Sequence, residues 1–504
     1  MSWKMALEEL VAATEGKVLS QHAREYHGVG TDTRAALGGK IFIALKGDNF
    51  DAHDFLERAV ASGAAALVVS RLPGGARALL EKTTVIEVGD TLKALQDLGL
   101  FWRRKMPARI LGLTGSNGKT TTKEFAAALI ATKHEVHYSK GSLNNHWGVP
   151  LSLLELQPKH ELALIEMGMN HAGELTTLMK IAEPDAVLVT MVGRGHLEGL
   201  GSVAGVARAK EEVYAAAKPS AVRLFNLENE HTRAMYERYA PRLPETHTIT
   251  FAGCEYARER GWLGSADGET DAAKEPATQS AAHAWPKLDV SLEVVSLEPE
   301  SMRIRGEIRG VGGETTVPVF GRQNITNLMS AATLALAAGM NPSDIWNAFP
   351  KCHTVWGRNQ WVKLPSGARV LFDGYNANPE SMRAAIDNFS QLKVAGKKYA
   401  VLGEMKEMGE HAATVHRELG REAAKAGFEA ISFFGPSRSH FVAGLRAEGF
   451  SKNLFESDTY EQNLAPRTLP VLEVGDIVLM KGSRGMQLEM ALLDMKPLDF
   501  EAKK

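Results

Sequence analysis

The stretch Arg109-Ile110-Leu111-Gly112-Leu113-Thr114-Gly115-Ser116-Asn117-Gly118-Lys119-Thr120 decides how this chain is read. Its first five residues predict a buried strand, a glycine-bearing turn follows, and Lys119-Thr120 opens a helix. That succession is the physical recipe for holding polyphosphate. Glycines let backbone N–H groups converge on the anion, the helix N-terminus adds positive potential, and a lysine reaches the outer phosphates. Thr120 is placed to put its hydroxyl on Mg²⁺. The plainer alternative, a glycine turn with a solvent-facing lysine, has the flanking strand and helix against it. The loop departs from G-x-x-x-x-G-K-[ST], because the first glycine of that pattern falls on Leu113.

Outward from the loop, Leu162–Ile165 and Ala186–Val189 are further apolar runs, each followed by polar residues and a helical stretch. This is the pattern of buried parallel strands in a doubly wound sheet. The same rhythm occurs before the loop, at 40–45 and 65–69, and again after Trp356, at 370–372, 399–402, 431–434 and 477–480. The expected architecture is therefore α/β in three domains. A small α/β N-terminal domain covers 1–107, a central P-loop parallel-sheet ATPase domain covers 108–355, and a Rossmann-like α/β domain covers 356–504. Residues 253–285 turn polar and read as a surface insertion without chemistry.

The bulk numbers narrow the function. At 504 residues the chain exceeds one ordinary core, and 44% hydrophobic with 23% charged residues is average for a soluble globular protein. A net charge of -2 gives no reason to expect a nucleic-acid partner. Two cysteines, Cys254 and Cys352, cannot build a disulfide framework and fit a reduced cytoplasmic setting. Residues 1–10 read as the start of an amphipathic helix, without the apolar run of a signal peptide, and no run of about 18 apolar residues predicts a membrane span.

In an open α/β sheet, ligands gather at the carboxyl ends of the strands. Glu166 ends one strand, and His196 follows the next. With Thr120 they could hold Mg²⁺ at the phosphates, although imidazole is an unusual magnesium ligand. Lys210 falls in the middle of a helical face made by Val203, Val206, Ala207, Val213, Tyr214 and Ala217, with Arg208, Glu211 and Glu212 opposite. Two readings stay open: a lysine that snorkels to the surface, or a desolvated amine able to take up carbon dioxide as a metal-binding carbamate.

Together these residues resemble the Mur ligases, the cytoplasmic enzymes that extend the peptidoglycan precursor. The hallmarks stand here as Thr114–Thr120, Glu166, His196 and Lys210, the last being the position carbamylated in that family. Finer motifs resemble the branch that adds D-alanyl-D-alanine. They are Leu143–Pro150, Glu166–His171, His196–Ser202, Asp373–Pro379, Val401–Met405 and Lys481–Arg484. The chain differs from the usual pattern at Ser142, at Gln323 and at Thr33.

The resemblance implies ATP-driven amide formation through an acyl phosphate. Thr114, Gly115, Ser116, Asn117, Gly118, Lys119, Thr120 and Thr121 would hold the phosphates. Asn324 would sit at adenine, and Arg358 and Asp373 would reach the nucleotide from the C-terminal domain. Two Mg²⁺ ions would lie on Thr120, Glu166, His196 and carbamylated Lys210. Asp32, Thr33 and Arg34 would meet the uridine end of a UDP-N-acetylmuramoyl-tripeptide. Asn144, Asn145, Asn170, His171, Tyr375, Asn376, Asn378, Lys481, Ser483 and Arg484 would serve that substrate and D-alanyl-D-alanine. A monomer is expected. The rivals are folylpolyglutamate synthetase, which lacks an N-terminal uridine-nucleotide domain, and a nucleotide switch without ligase chemistry.

Overall fold

The computed structural model describes residues 3–47, 50–263, 287–461 and 464–501. Among these residues, three sheets of five or more strands stand in chain order, beside two short two-stranded pairs. The first has the strand order Lys17–Ser20, Thr84–Glu87, Ala66–Val69, Ile41–Ile43 and Val29–Gly30, parallel except for its first pair. The chain start differs from the expected helix. Met5–Ala6 is extended and pairs with Glu25–Tyr26, and the helix begins at Leu7. Met5 is fully buried, so anchoring the chain end outweighs helix propensity there.

The central sheet places Arg109–Thr114 between Leu162–Glu166 and Ala186–Val189, parallel to both, with Val136–Tyr138 beyond the former. Strand order thus reverses at the phosphate loop, which is where an open α/β sheet leaves a crevice. On the far side Val222–Asn226 and Thr248–Phe251 continue the parallel run, and an antiparallel meander of Val290–Leu297, Met302–Ile308 and Val311–Val317 extends it. That meander is not foreshadowed by the apolar-run pattern, because its last strand alternates exposed and half-buried residues.

Alternation of side chains along the central strands supplies two cores. Leu111, Leu113, Leu164 and Leu188 pack under the helices Lys119–Ile130 and Asn324–Ala338. Ile110, Ile165, Val187 and Val189 point the other way, into a core shared with Ile41, Ile43 and Val68 of the first sheet. The helix Thr91–Lys105 joins these two sheets, and its Gly99 has no room for a side chain beside Pro150. Asp90 caps it by accepting from the N–H of Leu92 and of Lys93.

The third sheet runs Gln360–Lys363, Arg369–Asp373, Ile477–Lys481, Lys398–Gly403, Ala430–Phe434 and Asn453–Ser457, parallel except for its first pair. Of the polar stretch 253–285, Cys254–Glu259 is a helix with Cys254 and Ala257 buried, and 264–285 lies outside the described residues. Among the described residues no helix is long and apolar enough to cross a membrane.

Candidate active site

The phosphate loop is built for close backbone approach. Gly115 and Gly118 hold φ of 153° and 80°, and a side chain on either would strike Thr190 or Asn327 respectively. Neighbouring strand ends stitch the loop in place. Thr190 Oγ1 donates to the Asn117 carbonyl at 2.6 Å, and Ser116 N–H donates to the Met191 carbonyl at 2.9 Å. Lys119 folds back so that its Nζ donates to the Gly115 carbonyl at 2.7 Å. Burial lowers its pKa, with Arg358 adding to this and Glu166 opposing it.

Glu166 lies in register with Leu113 at the end of its strand, with only 1% of its surface exposed. Its Oε1 accepts from Asn144 Nδ2 at 2.8 Å, while the equally buried Oε2 has no hydrogen bond. Such an orphan carboxylate oxygen is uncommon and marks a place for a ligand. Its nearest charge is Lys123 Nζ at 3.8 Å.

His196 sits at φ 59°, a left-handed conformation that turns the loop after Ala186–Val189 toward the C-terminal domain. Its Nδ1 is 2.9 Å from Glu407 Oε2 but lacks hydrogen-bonding geometry. Burial lowers its pKa, with Glu407 opposing and Lys119 and Lys210 reinforcing. Lys210 is 1% exposed on the helix Val203–Ala215, so it points inward and does not snorkel. Burial, and then the charge of Lys119, drive its pKa well below that of an ordinary lysine.

Ser116–Thr120, Asn144, Glu166 and His196 share a cavity of about 240 Å³ with Arg358, Tyr375, Asn376 and Arg484 of the C-terminal domain. The Arg358 guanidinium stacks 4.5 Å over the Tyr375 ring. An adjoining cavity of about 360 Å³ is lined by Thr121, Asn324, Asp373 and Lys481 among others. There Lys481 Nζ donates to Asp373 Oδ2 at 2.6 Å, forming a buried ion pair. Asn378 joins the rim through Asn117, to which it donates at 2.7 Å.

Other expected residues stand apart. Asn145 uses its Oδ1 to accept from the N–H groups of Trp147 and Gly148. Asn170 and His171 are exposed and face Glu174. Ser483 accepts from the Lys406 N–H and is buried. Asp32, Thr33 and Arg34 line a separate cavity on the first sheet with Phe42, Phe50 and Phe55, and Asp32 pairs with Arg34 at 2.7 Å. Sequence reasoning missed Lys123, Glu407 and Glu228, a half-buried carboxylate of the larger cavity whose pKa burial raises. Lys123 alone left a signal: it lies four residues, one helical turn, beyond Lys119.

Among the described residues no three His, Cys, Asp or Glu side chains form a metal-holding cluster.

Three family models match the chain in succession. They are "Mur ligase family, catalytic domain" over residues 25–102, "Mur ligase middle domain" over 113–335, and "Mur ligase, glutamate ligase domain" over 357–484. A UDP-N-acetylmuramoyl-tripeptide--D-alanyl-D-alanine ligase of Bacillus subtilis is 32% identical over 93% of both chains. Its counterpart in Escherichia coli is 31% identical over 92% of both. A crystal structure of MurF from Acinetobacter baumannii superposes with a TM-score of 0.80 at 27% identity, covering 98% of this chain and 99% of that one. Full-length similarity at this level, together with three consecutive domain matches, establishes that the chain belongs to the Mur ligase family of ATP-dependent ligases.

Proposed function

We propose that this ligase joins D-alanyl-D-alanine to the terminal carboxyl of UDP-N-acetylmuramoyl-tripeptide, yielding UDP-N-acetylmuramoyl-pentapeptide, ADP and phosphate. The observation that carries the site assignment is the single cavity where the phosphate loop, Glu166 and His196 meet Arg358, Tyr375, Asn376 and Arg484. Nucleotide and acceptor chemistry therefore share one space between two domains. Residues 1–107 bind the uridine nucleotide through Asp32, Thr33 and Arg34, residues 108–355 bind ATP, and residues 356–504 bring the dipeptide. In this reading the enzyme acts as a monomer in the cytoplasm.

The reaction has two displacements. A carboxylate oxygen of the tripeptide attacks the γ-phosphorus, the bond to the bridging oxygen breaks, and ADP leaves. The dipeptide amine then attacks the acyl carbon, loses a proton, and inorganic phosphate departs. Lys119 and the loop N–H groups stabilise charge on the phosphoryl oxygens. For that, Lys119 must exchange the Gly115 carbonyl for a phosphate oxygen.

The side chains around the loop suit Mg²⁺. Thr120, the orphan oxygen of Glu166, His196 and Lys210 bearing a carbon dioxide-derived carbamate would hold two ions. Bound there, they supply the positive charge that lets two anions approach each other. Burial disfavours the charged form of Lys210, and its neutral amine can add to carbon dioxide and release a proton. The carbamate anion also replaces repulsion from Lys119 by attraction.

The test is ADP release with UDP-muramoyl-tripeptide, with and without D-alanyl-D-alanine, using wild type and Lys119→Ala. Turnover should need both substrates and fall by about 10²–10³-fold or more in the variant. Turnover without the dipeptide would overturn the acceptor assignment, and a fully active variant would overturn the role of the loop lysine.

A further inference from the structure

One buried charge beside the phosphate loop has no part in the reaction described above. Lys123 lies on the same helix as Lys119, and its side chain is fully buried. An ammonium is buried only where its partners replace its hydration. Here they are the carbonyls of Ser139 and, at 3.0 Å, Gly141, with the carboxylates of Glu124 at 3.4 Å and Glu166 at 3.8 Å.

These contacts give Lys123 two grips on Glu166. The first is direct. At 3.8 Å its charge attracts Glu166 Oε2 without forming a hydrogen bond, so that oxygen keeps its lone pairs for another ligand. The second runs through the backbone. The turn at Ser139–Gly141 leads into Asn144, which donates to Glu166 Oε1 at 2.8 Å and whose carbonyl accepts from the Gly168 N–H at 2.6 Å. Ser142 of the same turn lines the cavity. One ammonium thus holds the helix of the phosphate loop, the turn that carries Asn144, and the carboxylate between them.

We propose that Lys123 is a positioning residue for the ligase reaction, acting through Glu166. The inference rests on the role given to Glu166 under the proposed function. A lysine that merely ties a loop to a helix would also destabilise the protein when removed, but its loss would not depend on whether Glu166 is present.

The experiment is a double-mutant cycle of Lys123→Met and Glu166→Gln in the full-length enzyme. It measures kcat, KM for ATP, and Mn²⁺ affinity by electron paramagnetic resonance with a non-hydrolysable ATP analogue. Lys123→Met should lower kcat and Mn²⁺ affinity by about 10–100-fold, as loss of a group orienting a metal ligand does. KM for ATP should change little. The double variant should be no worse than Glu166→Gln alone. Should Lys123→Met not fold, Lys123→Gln keeps an N–H donor for the carbonyls while removing the charge, and enters the same cycle. Additive losses, or wild-type Mn²⁺ affinity in the Lys123 variant, would overturn the proposal while leaving Glu166 its role. A fully active Glu166→Gln would remove that role and the proposal with it.

Discussion

Asn117 of the phosphate loop and Asn378 at the head of the helix Pro379–Ser390 exchange two side-chain hydrogen bonds, of 2.7 and 3.2 Å, between the central and C-terminal domains. The contact is the centre of a seam. Arg194 pairs with Glu380 at 3.1 Å and Glu418 at 3.3 Å, and Gln323 accepts from Asn388 at 2.9 Å. The helix that follows Asn378 is therefore keyed to the loop that takes the phosphates, which predicts that nucleotide binding and domain approach are coupled.

This coupling separates two variants of Asn378. Its Oδ1 also caps its own helix by accepting from the Ser381 N–H at 3.0 Å. Asn378→Ser keeps a capping oxygen without adding charge and loses the amide donor to Asn117. It should melt like wild type while kcat/KM for ATP falls about 10-fold, the worth of one or two hydrogen bonds. Asn378→Ala should lose in addition about 1 kcal/mol of stability with the cap. Steady-state kinetics beside thermal melts check both, and unchanged ATP kinetics in Asn378→Ser would disconnect the seam from catalysis.

Much of the fold was legible because its signals are local. The parallel strands announce themselves as unbroken apolar runs, and Glu166 and His196 follow from their place at strand ends. The inward turn of Lys210 was readable from helical spacing, though spacing could not separate it from a snorkelling side chain. What stayed hidden depends on contacts distant in sequence. Lys123 and Glu166 are 43 positions apart along the chain (166 − 123), and Glu407 approaches His196 only when two domains meet. Asn145 shows the converse: it lies in a telling motif, yet its side chain is taken up by the helix it starts.

The buried pair Asp373–Lys481 makes a stability prediction that activity alone would miss. Lys481 is 1% exposed at its side chain, and burial lowers its pKa even though Asp373 pulls the other way. Lys481→Met leaves Asp373 buried without its counter-charge, which destabilises by about 3–5 kcal/mol. Adding Asp373→Asn should restore most of that, since two neutral groups can share the site. Denaturant unfolding followed through the C-terminal domain measures both. A double variant as unstable as the single one would show that the loss comes from packing, not from the abandoned charge.

Lys210 ties catalysis to stability through its proton. An unfolded chain keeps that proton up to the ordinary lysine value of 10.5, whereas the folded chain gives it up well below. Between those two values the unfolded state binds more protons, so stability rises with pH, and below the folded value the penalty is complete and constant. Lys210→Met should therefore be more stable than carbon dioxide-free wild type at neutral pH, with the advantage vanishing above about pH 10.5. Bicarbonate at mildly alkaline pH should raise the wild-type melting temperature and leave the variant unmoved, because only the lysine can form a carbamate. In activity, Lys210→Ala should be inactive and regain turnover with an added short carboxylic acid, which supplies the missing oxygen ligand. Parallel stability curves for wild type and Lys210→Met from about pH 6 to 11 would mean that the folded protein keeps this charge. A charged amine has no lone pair for carbon dioxide, and the carbamate would then have nothing to form from.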